Sequence, residues 1–398
     1  MVPLHRVVAL LLALATTPGH GAGGPSTRPV LLALDLEFGH ATSTSAEAIR
    51  RGALIAAAEV NAKGGVLDGR PLELVTRDNR SVPSRAIENV REVAANPDVV
   101  AVMTGKFSPV VEELIPVVHE LGIPLLAAWS ASDAIVHNGR TPNYVFRLSL
   151  NDTWAMEALF RGIERQGLKR VGLVLPNTSW GRSSLAAAER YTQRSRRSSL
   201  VATAWYNWGD ASLKAPYRTL LAAGAEAVVL VANEGEGSIL VKEMAGLPPD
   251  ERRPLFCHWG LTGGQFTRLA GDALQQVSLH VVQTYSFVGA RDPNARRVLR
   301  ALRDEFGVHG PRAVEAPVGV AHAYDLVHLL ARAIDRAGST DRKAIRRALE
   351  QLGEYDGLVK TYRHPFTATR HEALGPGDVF LARFAPDGAL VRSDGPVR

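Results

Sequence analysis

The order of strand-like and helix-like segments is the feature that most restricts the fold of this chain. A buried-strand run at Val30–Leu36 is followed by helical periodicity over Ser45–Ala62, and this alternation continues to residue 128. It starts again after Phe146, with a strand predicted at 170–175. Strands that alternate with helices form parallel sheets covered by helices on both faces. Two such runs predict an α/β protein with two similar lobes.

Composition excludes several classes of protein. The 398 residues suit two domains, and the hydrophobic content of 46% with 22% charged residues excludes wholesale disorder. The net charge of +6 raises the question of nucleic acid, but the densest basic group is Arg190, Arg194, Arg196 and Arg197, without zinc-ligand spacing or interleaved aromatic residues beyond Tyr191. We interpret this group as a solvated helix end and expect no nucleic-acid partner.

The N-terminus has the layout of a secretory signal. His5 and Arg6 precede the apolar run Val7–Ala15, and small and polar residues follow, with a candidate cleavage site after Ala22. The run is too short to span a bilayer, and no later segment reaches about eighteen apolar residues. The pattern predicts a signal peptide over residues 1–22 and a soluble, exported protein.

Cys257 is the single cysteine of the chain. One cysteine excludes an intramolecular disulfide, and it lies far from the cleavage region, where a lipid-bearing cysteine would stand. We therefore expect a free periplasmic protein instead of a lipoprotein. Since Cys257 follows an apolar stretch, we interpret it as a small buried hydrophobic residue.

Ligands of open parallel sheets collect at the carboxyl ends of the strands, so the loops there are the candidate sites. Residues 105–108 join a predicted strand to a helix in which Pro109 is the first residue and Ser108 the cap. This loop either only starts a helix or also forms a seat for a carboxylate, which Lys106 would strengthen.

The next loop contains a tryptophan and two serines. Trp129 either lines a ligand cleft or covers the hinge between the lobes. Ser130 and Ser132 either donate to an oxygen of the ligand or cap the short turn that follows.

Two loops of the second run are further candidates. Trp180 precedes Gly181, and it either stacks on a ligand or closes its own turn. Glu234 lies before a helix predicted at 237–245, where acids are ordinary first-turn residues. Alternatively, Glu234 meets an ammonium or amide N–H group of the ligand.

Enzyme motifs are missing from the sequence. It contains no GxSxG, P-loop or HExxH pattern, and no GxGxxG follows the first strand. The twelve histidines do not show metal-ligand spacing. We expect no catalysis, no cofactor and no metal.

Several segments together resemble a known family, the leucine/isoleucine/valine-binding type of periplasmic solute receptor for ABC transporters. The resemblance extends over essentially the whole mature chain and is carried most specifically by GGVLDGRPLELV and AYD…AIDRAGS in combination. The matching segments are AAAEVNAKGGVLDGRPLELVTRDN (56–79), VVAVMTGKFSP (99–109), LGIPLLAAWSAS (121–132), YVFRLSLND (144–152) and AHAYDLVHLLARAIDRAGSTD (321–341).

The resemblance implies the type I periplasmic-binding-protein fold, with two similar parallel-sheet lobes joined by a three-strand hinge. Three crossovers are implied, near residues 146–150, 281–287 and 354–362. The first lobe would then comprise residues 28–147 plus 288–354, and the second lobe residues 148–287 plus 355–398.

The resemblance also implies roles for individual residues. Ser108 matches the serine that binds a ligand carboxylate, and the segment from Ala128 through Trp129 and Ser130 to residue 132 completes that seat. Trp180 matches an aromatic residue that packs on the ligand.

Three positions depart from the family pattern. The usual Ser-Pro-x-Ala-Thr reads Ala-Ala-Trp-Ser-Ala over residues 127–131, so its threonine donor is missing or replaced by a neighbour. Glu234 falls where an aromatic residue is common. Trp259 falls where amino-acid-binding members carry an acid for the α-ammonium group, and it can offer only a cation–π contact. The implied ligand is therefore an amino acid or a related carboxylate or amide.

The function implied is a monomeric receptor that delivers its ligand to an ABC permease in the inner membrane. A periplasmic sensor that presents its ligand-bound form to a signalling partner uses the same clamp and is the alternative. A hydrolase is a third possibility, but it needs a nucleophile–base pair that the sequence does not show.

Overall fold

The computed structural model describes residues 28–393. The predicted signal peptide over residues 1–22 lies outside the described residues. None of the helices within residues 28–393 is both long and apolar enough to cross a membrane.

The described chain alternates between strands and helices for most of its length. The strands are β1 (Val30–Leu36), β2 (Leu72–Asp78), β3 (Val99–Thr104), β4 (Leu125–Ala127), β5 (Val145–Arg147), β6 (Arg170–Pro176), β7 (Ser199–Tyr206), β8 (Ala227–Leu230), β9 (Leu255–Cys257), β10 (Leu279–Gln283), β11 (Tyr355–Asp356), β12 (Thr361–Tyr362), β13 (Phe380–Phe384) and β14 (Leu390–Arg392). The α-helices are α1 (Ser45–Ala62), α2 (Pro83–Ala94), α3 (Ser108–Leu121), α4 (Asp152–Arg165), α5 (Ser179–Ser195), α6 (Lys214–Ala222), α7 (Glu234–Ala245), α8 (Phe266–Ala270), α9 (Pro293–Phe306), α10 (Pro317–Ala337) and α11 (Arg342–Leu349).

The strands form two main sheets, one in each lobe. The first has the order β2-β1-β3-β4-β5, and all its pairs are parallel. The second has the order β14-β13-β10-β9-β8-β6-β7 and is parallel from β10 to β7. The prediction of an α/β fold with two parallel-sheet lobes is confirmed. Strands β13 and β14 extend the second sheet in the antiparallel sense, which the sequence reading did not anticipate.

Strand positions follow from continuous apolar runs, since strands covered on both faces need no polar side. All six residues of β3 are buried, and β1 is buried except at Leu31. Helix α10 is buried over most of its 21 residues because it packs along α1. Gly52 of α1 permits this packing, as a Cβ atom there would lie 2.1 Å from the carbonyl oxygen of Val320.

Three helices begin earlier than predicted from the sequence. Helix α3 begins at Ser108, so the prediction of Ser108 as the cap was wrong, and Phe107 precedes the helix. Trp180 and Glu234 lie in the first turns of α5 and α7, and not in loops. Apolar periodicity starts only after these polar first turns, whereas the hydrogen bonds of the helix already include them. At α5, the Thr178 side chain accepts the Gly181 N–H at 3.5 Å.

The connections between the lobes are fixed by buried polar groups. Arg147, at the end of β5, is fully buried, and its Nε donates to Glu372 Oε2 at 2.9 Å. Asp325 in α10 accepts the Leu358 N–H at 2.6 Å and the Tyr362 hydroxyl at 2.7 Å, which attaches the β11–β12 ribbon to α10. Burial of Asp325 raises its pKa to about 7, against the effect of these donors.

The close packing of α1 on α10 can be tested at Gly52. We expect Gly52→Ala to lower the free energy of unfolding by about 1–3 kcal/mol, because the added methyl group must push the two helices apart. Gly353→Ala is the control, since a Cβ atom there meets no heavy atom within 4 Å. Urea unfolding of both variants should show a loss only for Gly52→Ala; equal stabilities would contradict the packing argument.

Candidate functional site

The loops at the carboxyl ends of the two sheets meet between the lobes. The Thr44 N–H donates to the Gly263 carbonyl at 2.8 Å, and the Gln265 N–H donates to the Thr42 carbonyl at 3.1 Å. These bonds flank an antiparallel bridge between Ser43 and Gly264. A Cβ atom on Gly264 would lie 2.3 Å from the Thr42 carbonyl oxygen, so the close approach requires glycine. The structure therefore shows the two lobes in contact.

A buried ion pair lies at this junction. Lys106 follows β3 in the first lobe, and its Nζ is 2.6 Å from Oε2 of Glu234, the first residue of α7 in the second lobe. The two side chains are 1% and 0% exposed. Thr42 donates to the other carboxylate oxygen at 3.1 Å. Burial opposes ionisation of Glu234, but the charge and hydrogen bond of Lys106 outweigh it and lower the pKa of the carboxyl.

Aromatic rings from both lobes pack beside the ion pair. The ring centroids of Trp129 and Trp259 are 5.5 Å apart, and each residue is 1% exposed. The Nε1 atom of Trp129 is buried without a hydrogen-bond partner among the described residues. The ring centroid of Phe107, the residue after Lys106, lies 5.4 Å from that of Trp208, in an edge-to-face contact, and 5.4 Å from that of His40. The junction thus combines two charges with apolar walls.

The serines predicted to bind a carboxylate hold their own loops together in this closed form. Ser108 Oγ accepts the backbone N–H groups of Ala131 and Ser132, both at 3.2 Å. Ser130 Oγ donates to the Gly105 carbonyl at 2.6 Å. The acceptor sites of Ser108 are therefore occupied, while its hydroxyl proton makes no described bond and remains able to donate.

Trp180 is held by a buried carboxylate of the same lobe. Its Nε1 donates to Asp152 Oδ1 at 3.2 Å, and His258 Nε2 lies 3.0 Å from the same oxygen. His258 Nδ1 accepts the Trp259 N–H at 3.0 Å, so the imidazole proton is on Nε2. A Cβ atom on Gly260 would lie 2.7 Å from the Trp180 ring. The Trp180 ring therefore packs against the residue that directly follows Trp259.

His322 supports the opposite wall of the junction. Its Nδ1 lies 2.8 Å from the Ala128 carbonyl, which can only accept, so Nδ1 carries the proton. Its Nε2 lies 2.9 Å from the Thr284 hydroxyl, and its ring is 5.8 Å from that of Trp259. Complete burial lowers the pKa of His322 to about 4, so the ring is neutral at physiological pH.

The structure thus brings Trp129, Glu234 and Trp259 together at one junction. Ser108, at the start of α3, and Ala128 and Ser130, in the loop after β4, lie behind it, and Trp180 lies beside it. Some neighbours were missed by the sequence reading. Trp208 and Asp152 follow β7 and β5, so the rule that selects carboxyl-end loops would have found them. His322 lies inside α10, where nothing in the local sequence marks it.

Other expectations from the sequence can be checked at single residues. Cys257 is fully buried, and burial raises the pKa of its thiol, which confirms its interpretation as a small hydrophobic residue. The described part of the chain holds no group of three or more histidine, cysteine and acidic residues that could bind a metal ion. Arg190, Arg194, Arg196 and Arg197 are exposed at the end of α5, as predicted.

A family model described as "Periplasmic binding protein" matches residues 38–389. The chain belongs to the periplasmic binding protein family. The family resemblance seen in the sequence is therefore confirmed. The family consists of extracytoplasmic substrate-binding proteins, so the prediction that the chain is not an enzyme is confirmed.

Solved structures of similar fold accompany this match. A type 1 periplasmic binding protein from Bordetella pertussis Tohama I has a TM-score of 0.82 and 21% sequence identity, with coverage of 92% of this chain and 100% of that chain. The branched-chain amino acid binding protein LivJ from Streptococcus pneumoniae, in complex with isoleucine, has a TM-score of 0.74 at 19% identity, with coverage of 92% and 100%. A solute-binding protein from R. palustris, in complex with benzoate, has a TM-score of 0.74 at 17% identity, with coverage of 92% and 95%.

None of the curated proteins compared with the chain matches it significantly. At identities of 17–21%, the solved structures show a shared fold only.

The buried ion pair makes closure of the lobes testable. We expect Lys106→Met to open the two lobes, because opening returns the unpaired Glu234 carboxylate to water. Lys106→Met/Glu234→Leu should stay closed, since apolar residues can replace a buried pair at little cost. For a compact chain of N residues the radius of gyration is about 2.2·N^0.38 Å, which is about 21 Å for a closed chain of this length. Small-angle X-ray scattering should give this value for the parent protein and the double variant, and a larger value for Lys106→Met. An unchanged radius in Lys106→Met would contradict this role of the pair.

The buried His322 predicts a loss of stability in acid. Its pKa is about 4 in the folded protein against 6.5 for an ordinary histidine, so the unfolded chain binds the extra proton between these values. The free energy of unfolding should then fall as pH decreases from 6.5 towards 4, by about 2 kcal/mol at pH 5.

His322→Gln is the matched variant for this pH effect, because its amide can donate to Ala128 and accept from Thr284 without titrating. Urea unfolding at pH 7 and pH 5 should show a drop that is about 2 kcal/mol smaller for the variant than for the parent protein. The same drop in both proteins would exclude His322 as the source.

Proposed function

We propose that the protein captures a small organic ligand between its lobes and delivers it to an ABC importer. The observation that carries this proposal is the buried Lys106–Glu234 pair, which places one cation and one anion from opposite lobes at the junction. A ligand that enters between the lobes separates the two charges. It must then satisfy both, because an unpaired buried charge costs several kcal/mol.

The charges indicate the chemistry of the ligand. An acid group of the ligand would take the place of Glu234 on Lys106, and an ammonium or amide N–H group would take the place of Lys106 on Glu234. The unpartnered Trp129 Nε1 is a further donor on the side of Lys106, since a Cβ atom on Gly263 would lie 3.1 Å from Lys106 Nζ and 3.5 Å from Trp129 Cζ2. We infer that the ligand is an amino acid or a related carboxylate that also carries an amide.

We assign the lining of this cleft to residues of both lobes. Aromatic walls suit the apolar part of such a ligand, and the loops at the helix starts supply N–H and hydroxyl donors. The proposed ligand-binding residues are Lys106, Ser108, Ala128, Trp129, Ser130, Trp180, Glu234 and Trp259.

The remaining parts of the proposal concern the protein as a whole. We propose that residues 1–22 direct export to the periplasm and that the mature protein has no lipid anchor. The first lobe comprises residues 28–147 plus 288–354, and the second comprises 148–287 plus 355–398. The protein acts as a monomer with a permease of the inner membrane and does not bind nucleic acid.

A thermal-shift screen would identify the ligand. At 100 times its dissociation constant, a ligand adds about 2.7 kcal/mol to the free energy of unfolding, which raises the melting temperature measurably. We expect stabilisation by amino acids or amide-bearing acids and none by benzoate, which has no donor for Glu234. Stabilisation by benzoate alone would contradict the ligand class, and a lack of stabilisation by every small organic compound would contradict ligand capture.

Calorimetry with the identified ligand tests the two charges. Lys106→Met should weaken binding by about 1.5–3 kcal/mol through loss of a charged hydrogen bond to the acid group, and Glu234→Gln should weaken it by a similar amount. Lys242→Met is the control, because Lys242 is exposed on α7, and it should bind like the parent protein. Equal affinities in all four proteins would remove both residues from the site.

A further inference from the structure

A groove of about 710 Å³ opens at the end of the second lobe that lies away from the cleft. Strand β6 runs from Arg170 to Pro176, and Trp180 follows it on the cleft side. The residues before Arg170 therefore lie at the opposite edge of the sheet. The groove lies there, between the ends of α4 and α5 and the turns that follow them, and we call it the basic groove because of its cations Arg161, Arg165, Lys169, Arg196 and Arg197.

The carboxylates near the basic groove already accept hydrogen bonds or form ion pairs. Glu164, which lines it, accepts the Tyr191 hydroxyl at 2.9 Å and the hydroxyls of Ser195 and Ser198 at 3.0 and 2.9 Å. Glu157, on the same helix, pairs with Arg161 at 2.5 Å and with Arg194 at 3.3 Å. These hydroxyls leave the charge of Glu164 in place, so the lining of the groove carries five cations and one carboxylate.

Three arginines remain without a counter-charge. Within residues 28–393, Arg165, Arg196 and Arg197 make no ion pair, and all three are exposed. Compensation of helix dipoles explains Arg165, which lies in the last turn of α4. It does not explain Arg196 and Arg197, which follow the end of α5, where Arg194 already occupies the last turn.

The backbone at Arg196 supports a role for its side chain. This residue has φ +54° and ψ +14°, the left-handed conformation in which helices usually place glycine. An arginine is disfavoured there because its Cβ crowds the backbone. Ending the helix therefore does not account for the arginine at this position, whereas binding of a ligand by its guanidinium group does.

We propose that the basic groove binds a ligand that bears phosphate. Guanidinium groups match phosphate oxygens with two parallel hydrogen bonds, and several arginines around one groove can hold more than one oxygen. The largely buried Tyr191 and the half-buried Leu168 give it a partly apolar floor. A soluble phosphate compound and the headgroup of an anionic phospholipid share this chemistry. The site lies away from the cleft and does not depend on the cleft ligand.

Two probes distinguish these sources of phosphate. Calorimetry of the secreted protein with pyrophosphate at physiological salt reports a soluble ligand. Flotation with phosphatidylcholine vesicles, with and without phosphatidylglycerol, reports a headgroup. Binding of pyrophosphate alone, or binding only to the vesicles that contain phosphatidylglycerol, supports the groove as a phosphate site and identifies the source.

Matched triple variants test the location of the site. Arg165→Gln/Arg196→Gly/Arg197→Gln should bind the active probe at least tenfold more weakly than the parent protein. Arg291→Gln/Arg296→Gln/Arg300→Gln removes the same charge from exposed positions at and before α9 and should bind normally. No binding of either probe by the parent protein, or an equal loss in both variants, would overturn the proposal.

A single substitution separates binding from folding. Glycine adopts the backbone conformation of Arg196 without crowding. Arg196→Gly should therefore keep or raise the melting temperature while it weakens binding of the probe. Unchanged binding in this variant would remove Arg196 from the site.

Discussion

The buried contact between Lys106 and Glu234 joins parts of the chain that are 128 residues apart. Each charge would be costly alone at a junction that excludes water, so the pair is stable only while the two lobes are in contact. The backbone bonds of residues 42–44 to residues 263–265 bring the lobes close enough for this contact. The closed arrangement, the position of the tryptophans and the chemistry proposed for the ligand all depend on it.

Parallel strands explain why these residues gather at all. Every strand of such a sheet ends at the same edge, so Lys106, which follows β3, and Trp129, which follows β4, become neighbours despite their separation in the chain. The second lobe repeats the arrangement with Glu234 after β8 and Trp259 after β9. Two facing edges then form one cleft, and the glycines at 263 and 264 let its walls touch.

The same topology separates the cleft from the basic groove. The cleft lies at the carboxyl ends of the strands of the second sheet. The groove lies at their amino ends, where Arg196 precedes β7 and Lys169 precedes β6. A ligand at one end therefore makes no contact with a ligand at the other. The cleft is closed and holds a balanced charge pair, whereas the groove is open and its lining carries five cations and one carboxylate, so the two surfaces differ in charge.

The sequence by itself determined the alternation of strands and helices, and it placed β1 and α1 at their observed bounds. It could do so because apolar periodicity depends only on neighbouring residues. It also predicted ligand-binding roles for Glu234, from loop position, and for Trp259, from family resemblance, and these roles stay predictions. Only the tertiary structure showed that Lys106 pairs with Glu234 and that His322 supports Ala128. Such contacts depend on how two lobes and a distant helix pack together, and a local sequence pattern carries no information about that packing.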